Sequence, residues 1–128
     1  AGLAVVNALL DRGLVARAKA QGDKLMNALR AEFGQHPHVG DIRGRGLFLG
    51  IELVANRETK APFDPSRKVA GKIKAAAFEA GLICYPMSGT IDGKSGDHVL
   101  LAPPFIILDD QIDELVAKLS GAIQTALA

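Results

Sequence analysis

The fold of this chain is decided by one stretch, Arg43-Gly44-Arg45-Gly46-Leu47-Phe48-Leu49-Gly50-Ile51-Glu52-Leu53. From Leu47 onward every second residue is a large aliphatic side chain, which is the period of a strand with one face in the core. The two Arg-Gly pairs favour a bend, so Val39–Ile42 is expected to pair with that strand. Gly50 inside the strand indicates close approach by another backbone or a large side chain. The stretch therefore predicts a β-hairpin.

Helical and strand patterns surround this hairpin. Apolar residues at three- and four-residue spacing predict helices, and Asp64-Pro65 is typical of a capped helix start. The expected helices are Ala1–Leu10, Leu14–Phe33, Asp64–Ala80 and Asp109–Leu127, and the further strands are Leu82–Tyr85 and His98–Ala102. This order predicts an α+β fold, a two-layer arrangement with helices packed on a small, mostly antiparallel sheet.

Length and charge exclude several classes of protein. The 128 residues suit one domain, and 15 basic against 14 acidic residues leave a net charge of +1. Such a balance argues against nucleic-acid and membrane-surface binding. No apolar run long enough to span a membrane and no signal peptide is visible, so a cytoplasmic location is expected. The chain starts without Met inside an apolar pattern, which suggests a piece of a longer protein.

Cysteine and histidine offer little chemistry. Cys84 is the only cysteine, and its apolar neighbours predict a small buried side chain rather than a reactive thiol. His36 and His38 flank Pro37 between a helix and a strand, where solvated side chains are expected. A metal site there would need a third ligand that the sequence does not offer.

Five polar residues remain as candidates for binding. Arg43 and Arg45, beside their glycines, could hold a phosphate or a carboxylate, or could be solvated arginines at a turn. Asp97 and His98, at the end of the glycine-rich loop, could orient a ligand or satisfy nearby backbone groups. Lys94 is the only cation in that loop, and could meet an acidic substrate or point into solvent. The residues alone leave each pair of alternatives open.

Several segments together resemble the C-terminal region of class III, omega-type aminotransferases. Ile42–Leu53 is similar to the family's "RGxGL-hydrophobic-xG-IEL" segment. The segments Ala1–Val5, Ala80–Cys84, Gly96–Ile107 and Asp109–Leu115 resemble, in order, an Ala-rich helix, a strand entry, the terminal strand with its Pro-Pro stop, and the last helix. The resemblance covers nearly the whole chain in order.

The resemblance implies the C-terminal small domain of a type I aminotransferase fold, here residues 1–128, with the large cofactor domain missing. Whole enzymes of this family transfer an amino group between an amine or amino acid and a keto acid through a Schiff base of lysine with pyridoxal 5'-phosphate (PLP). They usually work as homodimers, and the small domain caps the substrate entrance. The five candidates, Arg43, Arg45, Lys94, Asp97 and His98, are expected near that entrance.

Three departures qualify the resemblance. The cofactor lysine of the family lies in the large domain, and none of the lysines here has a matching context, so this piece alone is expected to bind no PLP and to be inactive. Gly93–Ala102 lacks the carboxylate-binding arginine that many relatives carry, and Lys94 is a poorer geometric substitute. Leu108 stands where the family often has Ser or Thr, so Asp109 is expected to cap the last helix.

The alternatives to an aminotransferase domain are a stand-alone ligand-sensing α+β module and a structural dimerisation module without catalysis.

Overall fold

The computed structural model describes residues 1–128 and contains four helices and one four-stranded sheet. The helices are α1 (Gly2–Asp11), α2 (Leu14–Phe33), α3 (Val69–Glu79) and α4 (Asp109–Leu127), and the strands are β1 (Val39–Arg45), β2 (Phe48–Leu53), β3 (Tyr85–Ser88) and β4 (Asp97–Leu101). A short 3-10 turn at Pro65–Arg67 precedes α3. This arrangement confirms the α+β class.

The sheet has the order β1-β2-β4-β3, and every neighbouring pair is antiparallel. Because side chains alternate along a strand, β2 and β4 each turn one apolar face toward the same side of the sheet. The aliphatic side chains on that side are all buried: Leu49, Ile51, Leu53, Val99 and Leu101. Helices α2 and α3 contact the sheet, and α4 packs against both helices. The core therefore lies on one side of the sheet, and the other side carries no helix.

The hairpin is longer than the sequence predicts. β1 continues through Arg45, and the turn comes only at Gly46 and Leu47, so the predicted bend at Arg43–Gly46 is wrong by two to three residues. Gly50 makes only an ordinary contact, since a Cβ there would lie 3.6 Å from the Leu100 side chain. The close approach occurs instead at Gly22 of α2, where a Cβ would lie 2.2 Å from the carbonyl carbon and oxygen of Gly46.

The start of α3 is also later than predicted. Asp64 does act as a cap, but its Oδ1 accepts from the Ser66 amide at 2.8 Å and so serves only the 3-10 turn. Lys68 then adopts φ +50°, which interrupts the helical path, and α3 begins at Val69. No sequence pattern indicates a left-handed backbone at a lysine. The sequence therefore predicts the 3-10 turn and α3 as one helix from Asp64 to Ala80.

Four further expectations are corrected, three at strand or helix ends and one at the cysteine. β3 lies at Tyr85–Ser88 rather than Leu82–Tyr85, and β4 begins one residue early. Cys84 is half-buried rather than fully buried, and this burial raises the pKa of its thiol. Leu108, not Asp109, is the N-cap of α4, and its amide donates to Oε1 of Gln111 at 3.0 Å.

The two histidines form part of the fold instead of being solvated. The His38 amide donates to Nδ1 of His36 at 3.1 Å, and His38 Nδ1 lies 3.1 Å from the Val54 carbonyl oxygen. Their rings, 6.0 Å apart, link the rings of Phe33 and Phe63 in the core. Since His36 Nδ1 must keep its lone pair to accept this bond, the structure requires neutral His36.

The Gly22 contact generates a first prediction. Alanine would favour the helix by about 1 kcal/mol, but its Cβ would collide with the Gly46 backbone, which cannot rotate away. We expect Gly22→Ala to lower the free energy of unfolding by about 1–3 kcal/mol in a urea titration followed by circular dichroism. Gly121→Ala is the control, because that exposed α4 position has nothing within 4 Å of a Cβ. An unchanged Gly22→Ala protein would contradict the contact.

His36 generates a prediction about pH. Burial, with His38 and Arg57 nearby, lowers the pKa of His36 below 6.5, although Glu32 opposes the shift. A folded pKa below the unfolded value means that the contribution of neutral His36 is present above about pH 6.5 and is lost as the pH falls below it. We expect the unfolding free energy to fall on acidification, and to fall less in His36→Asn, whose Oδ1 accepts the same amide without titrating. Equal pH slopes for the two proteins in urea titrations would exclude this role.

Candidate functional site

The uncovered side of the sheet is the candidate site. Register places alternate residues of all four strands on it, and none of them is buried: Asp41, Arg43, Arg45, Phe48, Gly50, Glu52, Tyr85, Met87, His98 and Leu100. Phe48 and Tyr85 are each 62% exposed. Aromatic side chains this open on a sheet face are typical of a binding or docking surface.

Arg43 occupies the β1 edge of this face with its charge already matched. Its Nη1 lies 3.0 Å from Oδ2 of Asp41 and 3.4 Å from Oε2 of Glu52. The hydrogen bond to Asp41 is the main cause that raises the pKa of the guanidinium. Two carboxylates beside one cation make this corner acidic overall, so Arg43 is poorly placed to attract a substrate anion by itself.

His98 shares a groove with Arg43. The groove, about 390 Å³, runs over Gly50 between these two residues, and Phe48 and Leu100 form its apolar walls. His98 stands directly opposite Glu52 in the β2–β4 register. The structure thus brings two of the five candidates together, with a carboxylate between their strands.

Asp97 does not join them. Successive residues of a strand point to opposite faces, so Asp97 lies on the core side, only 5% exposed. Its Oδ1 accepts from the Ala70 amide in the first turn of α3 at 3.3 Å, and burial raises the pKa of its carboxyl. Asp97 and His98 therefore do not form a ligand-orienting pair, and the contact of Asp97 fixes α3 to β4.

Arg45 and Lys94 are exposed cations at the margins of the sheet. Arg45 pairs across from Phe48 at the end of the hairpin and takes part in none of the five ion pairs. Lys94 lies in the loop between β3 and β4, where Oδ1 of Asp92 accepts from the amides of Lys94 and Ser95 at 2.9 and 2.6 Å. These bonds lower the pKa of Asp92 and fix the loop backbone, while the Lys94 side chain has no acidic partner.

A further group of residues holds the segment after Pro103-Pro104. Arg17 donates to the carbonyl oxygens of Phe105 and Ile107 at 3.0 and 2.7 Å, and Gln21 donates to that of Ile107 at 2.9 Å. Lys24 pairs with Asp109 at 2.8 Å. The hydrogen bond from Lys24 is the main cause that lowers the pKa of the Asp109 carboxyl. Sequence reasoning missed this α2 clamp, because polar residues at helical spacing are also what a solvated helix face shows.

The lysines are the side chains that could form a Schiff base with a cofactor. Seven of the eight are exposed, and the half-buried Lys118 pairs with Glu114 at 2.6 Å. A lysine that carries PLP must reach into an enclosed site with its amine free to react. Each lysine of this chain is thus either exposed or already paired with a carboxylate.

Metal binding and membrane crossing each require features that can be read directly from the structure. No group of three His, Cys, Asp or Glu side chains is placed to hold a metal ion. No helix has both the length and the apolar character that crossing a membrane requires.

Comparison with known proteins finds relatives of this chain in one family. The family model "Aminotransferase class-III" matches residues 1–123. An uncharacterised aminotransferase of Schizosaccharomyces pombe is 49% identical over 128 residues, which are 100% of this chain and 28% of that protein. An aminotransferase structure from Bacillus anthracis, 35% identical, superposes with a TM-score of 0.85 over 95% of this chain and 26% of that one.

A PLP-bound aminotransferase mutant from Vibrio fluvialis, 28% identical, also superposes with a TM-score of 0.85, over 98% of this chain and 26% of that one. The chain thus spans about a quarter of the length of the relatives it matches. A family model that covers almost all of the chain, together with close sequence relatives of the same kind, identifies its family. The chain belongs to the class III aminotransferases.

Proposed function

We propose that this chain is the C-terminal small domain of a longer, PLP-dependent class III aminotransferase. The whole enzyme transfers an amino group between an amine or amino acid and a keto acid, and it works as a cytoplasmic homodimer. The small domain caps the substrate entrance and supports the dimer. The observation that carries this proposal is the uncovered sheet face, with its groove between Arg43 and His98.

The one-sided core supports a partner on that face. A sheet side with two exposed aromatic rings and half-buried Leu100 and Met87 gains stability when another surface covers it. The relatives are about four times as long as this chain, so the rest of such a protein is the natural cover. Substrate held between the two parts would meet the mixed apolar and charged groove of about 390 Å³.

The charges near this face support different roles for the charged candidate residues. Arg43 is matched by Asp41 and Glu52, and Asp97 is withdrawn into the core. Lys94 is then the free cation closest in sequence to β4, on a loop whose backbone is fixed by Asp92. We assign to Lys94 the attraction of the acidic group of the keto acid, with His98 lining the groove.

When bound to the whole enzyme, PLP supplies the electron sink for amino transfer. The exposed positions of the lysines support the proposal that the cofactor is held by residues outside this chain. The chain's own part is to bind and orient substrate and to exclude water from the entrance.

The cofactor proposal is tested by reduction with borohydride. We expect the purified chain, incubated with PLP and borohydride, to carry no stoichiometric adduct at any single lysine, because exposed lysines react weakly and without preference. The full-length protein is the control, and its adduct should map by mass spectrometry to one lysine outside residues 1–128. A specific adduct within residues 1–128 would contradict the proposal and favour a self-sufficient module.

The role of Lys94 is tested by steady-state kinetics of the full-length enzyme. Lys94→Ala should raise the KM for an acidic acceptor such as pyruvate by about 2- to 5-fold and leave kcat nearly unchanged, since one exposed charge contact is lost. Lys72→Ala removes another exposed cation, on α3, and should leave KM unchanged. An unaltered KM in Lys94→Ala would remove Lys94 from the site.

A further inference from the structure

Gly50 lies in the interior of β2, where glycine is an unfavourable residue. Glycine loses more backbone entropy on folding than any other residue, and it contributes no side chain to the packing of a strand. The neighbouring Leu49 and Ile51 are buried in the core, so a side chain at position 50 would point to the open side of the sheet. A glycine at this position therefore needs a physical reason.

The contacts within this chain do not require glycine there. Gly50 has no positive φ, so its backbone suits any amino acid. A Cβ would lie 3.6 Å from Cδ2 of Leu100 and 3.9 Å from the carbonyl oxygen of Arg43, which are ordinary van der Waals distances. By contrast, a Cβ on Gly22 would collide with the backbone of Gly46. The space above Gly50 is thus left open without a structural need for it among residues 1–128.

That space is the floor of the groove on the sheet face. The groove of about 390 Å³ runs over Gly50, with Phe48 and Leu100 as its apolar walls. Leu100 stands directly opposite Gly50 in the β2–β4 register, so a side chain at position 50 would enter the groove beside that wall. The volume is in the range of sites that bind small molecules.

The charges around the groove favour an apolar occupant. Arg43 is the only arginine or lysine that lines it, and the carboxylates of Asp41 and Glu52 lie 3.0 and 3.4 Å from its guanidinium. A substrate carboxylate placed here would meet two fixed negative charges and no free cation. An uncharged apolar group would instead gain contact with Phe48 and Leu100.

We propose that Gly50 is a specificity-determining residue of the enzyme. By leaving the floor of the groove open, it lets a bulky apolar substituent of the amino donor lie between Phe48 and Leu100. The size of the residue at position 50 then sets the size of the substituent that the enzyme accepts. This inference rests on the proposed function, because it requires a donor bound at the open sheet face, and it adds which residue limits that donor.

Steady-state kinetics of the full-length protein test the role of Gly50. Gly50→Ala and Gly50→Val fill the floor in two steps, and each variant is assayed with pyruvate as acceptor and two pairs of donors. Benzylamine differs from ethylamine only by a phenyl in place of a methyl group, and so does phenylalanine from 2-aminobutyrate. For the pair that the parent accepts, we expect the ratio of kcat/KM of the phenyl donor to that of the methyl donor to fall. The fall should be about 3-fold in Gly50→Ala and about 10- to 100-fold in Gly50→Val, since a pocket discriminates a few carbon atoms by such factors.

Gly71→Val is the matched control. Gly71 of α3 also has room for a Cβ, with nothing within 4 Å, and it does not line the groove. Its donor ratio should equal that of the parent. An unchanged ratio in Gly50→Val overturns the proposal. If that unchanged ratio comes with a lowered Tm, the space above Gly50 belongs to packing by another part of the protein.

The parent full-length protein distinguishes a failure of this inference from a failure of the proposed function. Amino transfer from other donors, but from neither benzylamine nor phenylalanine, overturns the role of Gly50 and leaves the proposed function standing. No amino transfer from any amine or amino acid to a keto acid contradicts the proposed function, and the role of Gly50 with it.

Discussion

Alternate side chains of β2 and β4 point to opposite sides of the sheet, and the rest of the molecule follows from that geometry. On one side, Leu49, Ile51 and Val99 lie at the centre of a single core with α2, α3 and α4 around it. On the other side, the same two strands present Phe48, Glu52 and His98 without cover. Because the helices that contact the sheet pack against its buried side, the second side carries no helix.

Much of the fold could be predicted from sequence wherever a periodic pattern was long. The stripe of α4, including Ile112, Leu119 and Ile123, is buried as expected, and β2 follows its period of two. Predictions failed where one residue's backbone decides a boundary. Lys68 in the left-handed conformation separates the 3-10 turn from α3, and no propensity indicates a lysine there. Leu108 can precede a helix because its amide donates a hydrogen bond to Oε1 of Gln111, three residues later.

The candidate site was less predictable, because its character depends on contacts between strands. The period of two along β4 could have shown that Asp97 and His98 lie on opposite faces, yet their adjacency suggested a pair. Arg43 is neutralised in part because the hairpin register brings Glu52 close to it. That register depends on the position of the turn, and the sequence pattern predicts the turn too early in the chain. The α2 clamp joins residues more than 80 positions apart, and such pairs leave no trace in a single sequence.

In the proposed enzyme, the absence of arginine from the loop before β4 would have a physical consequence for acid recognition. An arginine fork fixes a carboxylate by two parallel hydrogen bonds, whereas the Lys94 ammonium attracts it as a point charge on a flexible stem. Lysine can therefore draw the acid to the entrance without determining its orientation. In the proposed enzyme, orientation has to come from the shaped apolar walls of the groove, Phe48 and Leu100, and from groups on the part of the protein that covers them. Selection of the keto acid then depends on the fit between the two parts more than on any single charged residue of this chain.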